Sequence, residues 1–361
     1  MKPSAPHTSR VSVPVAHDVP ADTPYPDEAV HVAFCCDAAY ATPMVVAVQS
    51  VLRHARAPEN LVFWIGTTAE DLPHALAVRE VIQRANARLH VRLLTSVLHR
   101  LQHAPVRGHL SSAAYFRLFL TELLPAALSR VIYLDSDVIV CRPIEELWWT
   151  PLDGKPMAGV LKPRATEAIE VGLQSEADYF NSGVMLIDLD AWRRLDVSRR
   201  ALDFVQHHPG RIHGHDQPAL NHVFAGAWKR LDFRWNQQFK FFVHTAGYLG
   251  VPASALRELR TRPFIIHYTT GSKPWHYSND HPLQRRYFEV LDETAFAGWR
   301  PRPRTLRERL RRTLTGWIPH YLRPQVVRNV LRPKYRRLLA RLRGDPPAGA
   351  AGPSHPCPHV V

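Results

Sequence analysis

From residue 29 onward, short apolar runs alternate with segments whose apolar positions recur at helical spacing. AVHVAF (29 to 34), LVFWIG (61 to 66) and HVRLL (90 to 94) read as strands, with helices over Val45 to His54 and Leu72 to Ala85 between them. Such alternation predicts an α/β architecture with a mostly parallel sheet covered on both faces. A helical stretch from Tyr115 to Leu123 precedes RVIYLD (130 to 135), an apolar run that ends on an acid. FNSGVMLIDL (180 to 189) reads as a further buried strand and Asp216 to Phe224 as a helix after a Gly/His turn. FIIHY (264 to 268) is a last short strand before a loop holding Gly271, Lys273 and Trp275.

The texture changes at both ends. The first 28 residues are a Pro/Ser/His/Asp mixture of disordered character, without the basic start, apolar core and cleavage site of a secretion signal. Beyond Arg300, Leu306, Leu310, Leu314 and Trp317 recur at helical spacing among arginines, and after prolines Val326, Val327, Val330 and Leu331, then Tyr335, Leu338, Leu339 and Leu342, repeat the arrangement. The expected organisation is a disordered segment over 1–28, a folded domain over 29–298, a basic amphipathic helical tail over 299–343 and a disordered end over 344–361.

With 361 residues, 45% hydrophobic and 22% charged, the chain can bury a large core, which excludes fibrous and wholly disordered classes. The net charge of +14 is local: residues 300 to 343 hold fifteen Arg/Lys against Glu308, so the rest of the chain is neutral. A basic amphipathic tail suits an anionic bilayer surface, and the neutral body carries no nucleic-acid motif, so nucleic acid is not expected as a partner. The most apolar run, 29 to 52, is broken by Asp37, Pro43 and Gln49 and falls short of the ~20 residues of a membrane span. Four irregularly spaced cysteines (35, 36, 141 and 357) form neither a zinc knuckle nor a disulfide framework and favour a reducing compartment.

The central chemical signal is YLDSDVIV (133 to 140). On an extended backbone Asp135 and Asp137 project to the same side, where two oxygens can share one hard divalent cation bridged to a pyrophosphate. A bare pair of this kind also fits a solvated turn; the apolar flank VIYL, and the motifs around it, favour the cation.

The ordered set VAFCCDAAY, the Tyr115/Arg117 pair, YLDSDVIV, FNSGVMLIDLDAWR, HDQPALN, RWN and IIHYTTGSKPW resembles the retaining nucleotide-diphospho-sugar glycosyltransferases of family 8. That family includes bacterial lipopolysaccharide galactosyl- and glucosyltransferases and, more distantly, glycogenin; the resemblance spans roughly residues 29 to 290. It implies a GT-A-type, Rossmann-like nucleotide-diphospho-sugar transferase domain. It also implies donor contacts from Phe34, Cys35, Asp37 and Tyr40 in the first motif, with Asp37 and Tyr40 at uracil and ribose. Ala39 stands where the family often has Asn, so one nucleotide hydrogen bond is lost or comes from backbone. The further donor residues implied are Arg117, Asp135, Ser136, Asn181, Asp216, Gln217, Gly271 and Lys273, with Lys273 on the diphosphate. By themselves, Asn181 to Gly183 would mark a close approach at a strand start, Asp216 a helix N-cap and His267 a structural histidine. The resemblance makes His267 the third metal ligand beside Asp135 and Asp137, and a nitrogen ligand favours Mn²⁺ over Mg²⁺, with Mg²⁺ as the alternative.

The catalytic set implied is Asp135, Asp216 and Gln217. Front-face attack by the acceptor and double displacement on Gln217 are both open, and a neutral amide is a poor nucleophile, which favours the front-face route. The expected activity is transfer of galactose or glucose, with retention, from UDP-galactose or UDP-glucose to a saccharide or glycolipid acceptor in lipopolysaccharide or other cell-envelope glycan synthesis. The expected location is cytoplasmic, at the inner face of the membrane. The alternatives are a glycogenin-like or protein-directed glucosyltransferase and an inactive sugar-nucleotide-binding membrane scaffold.

Overall fold

The computed structural model describes residues 28–94, 112–208 and 216–303, together with Tyr25, Val97, Arg100 and Thr305. The two expected disordered ends and the basic tail therefore lie outside the described residues, apart from Tyr25, Glu28, residues 299–303 and Thr305. Tyr25 packs on the domain, its hydroxyl 3.1 Å from His90 Nε2 and its ring edge-on to His31.

Ten strands make two sheets: β1 (Val30–Cys35), β2 (Leu61–Thr67), β3 (Arg88–Leu93), β4 (Arg130–Leu134), β5 (Val138–Val140), β6 (Met157–Leu161), β7 (Phe180–Asp188), β8 (Lys229–Arg230), β9 (Gln237–Gln238) and β10 (Ile265–His267). The large sheet has the order β3-β2-β1-β4-β7-β6-β8, and the small one β5-β10-β9. β1, β2, β3 and β4 are mutually parallel, and β7 runs antiparallel to both neighbours, so it alone reverses the direction of the large sheet. The mostly parallel expectation holds, with one reversal that places the site.

Side chains alternate between two cores, as the period of a strand requires. Val30, Val32 and Phe34 of β1, with Ile132 and Leu134 of β4, pack on one face with Met44, Val48 and Val51 of α1 (Ala41–His54). Ala33, Val131 and Tyr133 face the other side, against Leu202 and Phe204 of α2 (Val197–His207) and Leu220 of α3 (Asp216–Phe224). α1 begins ahead of the expected Val45 because Pro43 sits in the first turn, where a helix makes no use of the missing N–H. The expected helix over Leu72 to Ala85 is broken into Leu72–Ala75, a 3₁₀ turn Leu76–Val78 and Arg79–Arg84. The stretch around Tyr115 is a 3₁₀ helix, Ser112–Phe119, continued by an α turn, Leu120–Leu123.

Parallel β1 and β4 end at the same edge of the sheet, bringing Cys35 and Asp135 together. Because β7 is reversed, its amino end, Asn181 to Gly183, arrives at that edge too, and the Asp135 amide donates to the Gly183 carbonyl at 2.8 Å. This is the crevice beyond the strand ends where open α/β sheets bind ligands.

Candidate active site

Asp135 to Asp137 is the connection by which the chain leaves β4 of the large sheet and enters β5 of the small one. The two acids are therefore brought together by a turn, and the extended-strand alternation expected to align them does not apply, since β4 stops at Leu134. The small sheet supplies the third group: β10 pairs antiparallel with β5, matching His267 to Val138. One ligand atom from each of Asp135, Asp137 and His267 lies within 4.8 Å of the others. His267 Nε2 is 3.3 Å from Asp137 Oδ1 and 3.6 Å from Asp135 Oδ2.

The orientation of the imidazole is fixed by a buried relay that begins at backbone. The Ser182 amide donates to Gln217 Oε1 at 3.2 Å and the Gly183 amide to Asn181 Oδ1 at 3.2 Å. With those oxygens fixed as acceptors, Asn181 Nδ2 donates to Gln217 Oε1 (2.9 Å) and Asn236 Nδ2 to Asn181 Oδ1 (2.8 Å). Asn236 Oδ1 then faces His267 Nδ1 at 2.9 Å and must receive its proton. In a neutral ring Nε2 is left with its lone pair directed at two carboxylates, three electron-pair donors facing one point. The donor set of two carboxylate oxygens and one imidazole nitrogen suits a divalent cation such as Mn²⁺. Gly183 leaves the room: a Cβ there would stand 2.2 Å from His267 Cε1 and 2.6 Å from Asp135 Oδ2.

Around this point the charges are paired. Arg117 lies buried between Asp135 (2.9 Å) and Asp216 (3.1 Å), with its guanidinium 4.7 Å from the centre of the Tyr133 ring. Burial opposes its charge, but the two carboxylates outweigh burial and raise its pKa above the ordinary arginine value. Burial likewise opposes the charge of Asp137, yet Lys273, ion-paired to it, and His267 hold its carboxyl well below the usual range. Lys273 also donates to the Tyr268 carbonyl at 2.7 Å. Asp216 is pushed up to about 6 by burial, with Arg117 pulling the other way. Its carboxylate accepts from Ser182 Oγ at 3.0 Å. Burial raises the Cys35 thiol to about 12, so it is an inert wall.

A cavity of about 470 Å³ opens over these groups. Of the residues singled out in the sequence, Cys35, Asp37, Tyr40, Arg117, Asp135, Ser136, Asp137, Asn181, Asp216, Gln217, His267 and Lys273 all line it. Two do not. Phe34 points the opposite way from Cys35 and is buried in the core under α1, so its ring cannot reach a donor; Gly271 is exposed outside the lining. Asp37 accepts from the Tyr40 amide at 3.1 Å, and the Tyr40 ring meets Trp275 edge-on at 5.7 Å. Asp216 stands in the first turn of α3 with its side chain committed to Arg117 and Ser182. Sequence reasoning assigned no role to Asn236 of the RWN motif, nor to Ser182 and Tyr133. Thr269 and Thr270, within IIHYTTGSKPW but given no role there, also line the cavity, as do Lys162, Gln238, Phe239 and Lys240, which no local motif marks.

The family described as glycosyl transferase family 8 matches residues 31–279, more than half of the chain. The chain belongs to glycosyl transferase family 8. It is thus a glycosyltransferase, and among its relatives "General stress protein A" of Bacillus subtilis (strain 168) is 31% identical over 54% of this chain and 69% of that protein. "Probable galacturonosyltransferase-like 10" of Arabidopsis thaliana is 32% identical over 73% of this chain and 80% of that protein. Among solved structures, galactosyltransferase LgtC in complex with donor and acceptor sugar analogs superposes with a TM-score of 0.64 at 23% identity, covering 74% of this chain and 96% of that one. The glycosyltransferase GlyE of Streptococcus pneumoniae TIGR4 gives 0.57 at 21% identity over 73% of this chain and 60% of that one. These similarities show the GT-A-like α/β fold of this family 8 member.

Proposed function

We propose that this family 8 chain is a divalent-cation-dependent, retaining hexosyltransferase that moves galactose or glucose from a UDP-sugar to a saccharide acceptor. The observation that carries it is the convergence of Asp135, Asp137 and His267, with Lys273 on Asp137, at the rim of a cavity lined by Arg117, Asn181, Asp216 and Gln217. Those three side chains would hold Mn²⁺, or Mg²⁺ in its place, which when bound supplies Lewis-acid neutralisation of the departing UDP diphosphate. Lys273 adds a cationic donor to the same leaving group. Asp37 and Tyr40 frame the nucleoside, Trp275 backing the Tyr40 ring, and Asn181, Asp216 and Gln217 orient the hexose.

Gln217 Oε1 already accepts from Asn181 and from the Ser182 amide, and the Gln217 amide group donates to Tyr179 Oη at 3.4 Å. An oxygen so engaged positions a sugar and does not attack one, which supports front-face delivery of the acceptor hydroxyl. Screening UDP-galactose, UDP-glucose and UDP-galacturonate for Mn²⁺-dependent UDP release tests the reading. Release is expected with a hexose donor and lost in Asp135→Asn and Asp137→Asn; a double variant with full activity overturns it.

No helix among the described residues is long and apolar enough to cross a membrane. The basic amphipathic pattern of 299–343 supports docking on an anionic bilayer, at the cytoplasmic face where a lipid-linked acceptor of envelope glycan synthesis is presented.

A further inference from the structure

Resting on that reading, we infer that the acceptor is an acidic saccharide, its carboxylate or phosphate held in the cavity by Lys240 with support from Lys162. Lys162 follows the end of β6, and Lys240 opens the short helix Lys240–Val243; both line the cavity. Lys162 is ion-paired with Glu167, and its ammonium lies 5.6 Å from the centre of the Tyr179 ring. Lys240 Nζ donates to the carbonyls of Pro163 (2.8 Å) and Arg164 (3.4 Å) and has no carboxylate at ion-pair distance among the described residues. Two of its three hydrogens are thereby used, and one is left for a ligand. Burial and the nearby Lys162 both work against its charge, with Glu167 and Glu176 opposing them. A half-buried ammonium in that setting is compensated by an incoming anion.

The anion is not the donor's diphosphate. Contacts run in sequence from His267 through Asn236, Asn181, Gln217 and Tyr179 to Lys162. Lys162 thus adjoins the residues that orient the hexose, while the diphosphate has the cation triad and Lys273 to meet it. A group that meets the lysines lies beside the donor sugar, where an acceptor is to be seated.

The test uses the full chain with Mn²⁺ and UDP-galactose or UDP-glucose, comparing the methyl glycosides of galactose, galacturonate and galactose 6-phosphate as acceptors. At least one acidic acceptor is expected to exceed the neutral one in kcat/KM by about tenfold or more, the value of one charge-assisted hydrogen bond. Whether galacturonate or the phosphate leads tells the two anions apart. Lys240→Met should erase most of that preference, acting on KM, and Lys240→Arg should keep it. Should Lys240→Met fail to fold, saturation-transfer NMR of the same three glycosides on the unaltered protein reads the preference directly. A neutral glycoside used and bound as well as both acidic ones overturns the inference while the transferase reading stands. Equal use of acceptors with a lysine-dependent preference for UDP-galacturonate moves the anion to the donor and overturns it too. Absence of UDP release from every UDP-sugar, with or without acceptor, removes the function and the inference together.

Discussion

Replacing Gly183 by alanine adds one methyl group at the point where the sheet edge meets the cation triad. The new Cβ would lie 2.2 Å from His267 Cε1 and 2.6 Å from Asp135 Oδ2. Carbon atoms in contact prefer about 3.5–4.0 Å, so something must move by more than about 1 Å. Neither neighbour is a free side-chain end: His267 is tied to Asn236 and Asp135 to Arg117 and Tyr133. Overpacking of this kind costs typically about 1–3 kcal/mol, a fall of a few degrees in Tm for a chain of this size. The functional effect is larger, because misplacing a reacting group by about 1 Å costs on the order of 10²-fold. Mn²⁺ titration by calorimetry should show at least tenfold weaker binding, and UDP release should fall about a hundredfold. Gly159→Ala on neighbouring β6 is the control: its Cβ meets the flexible Met157 Cε at 3.1 Å, and turnover should stay close to that of the unaltered protein. A Gly183→Ala protein that binds Mn²⁺ and turns over normally would refute the crowding argument.

Asn236→Leu deletes the acceptor that fixes the His267 tautomer and should weaken Mn²⁺ binding by about 10–100-fold; calorimetry showing unchanged affinity would remove the relay. The folded pKa of Asp216, about 6, lies above the unfolded value near 3.8, so its contribution to stability is fully present below about pH 4 and lost as pH rises through 6. In chelator-treated protein, the stability of the unaltered chain relative to Asp216→Asn should fall by about 3 kcal/mol between pH 4 and 7, at 1.36 kcal/mol per pKa unit; urea titrations across that range giving a flat or rising difference would contradict it. Deleting residues 304–361 should release the protein from anionic liposomes in a flotation assay while UDP release persists, and unchanged flotation would exclude the tail as the anchor.

Period-two and helical patterning marked most strands of the large sheet and helices α1 and α3, because burial on both faces leaves long apolar runs. Of the short strands β10 is legible in FIIHY, where apolar neighbours lengthen the run, but β5, β8 and β9 hold two or three residues each, too few for a period. The site residues Asp135, Asp137 and His267 could be named from motif order, but the reason they meet could not. It lies in the reversal of β7 and the antiparallel pairing of β10 with β5, both long-range choices. Phe34 was misplaced because a motif carries neighbours along with its functional members, and strand alternation then sends Phe34 and Cys35 to opposite faces. Lys162 and Lys240, far apart in sequence, share a wall only because β6 and the segment after β9 end at the same place.

The turn from Asp135 to Asp137 is where the backbone crosses from one sheet to the other, and His267 answers from the far side. An ion seated there would act as a rivet through two plates. The plates do not depend on it to stay together, since Val138, Val140 and Ile265 of the small sheet are buried in one cluster with Val32, Phe34 and Leu134 of the large one. An arriving ion would therefore meet side chains already held in place by two packed sheets, and little of its binding free energy would go into ordering them.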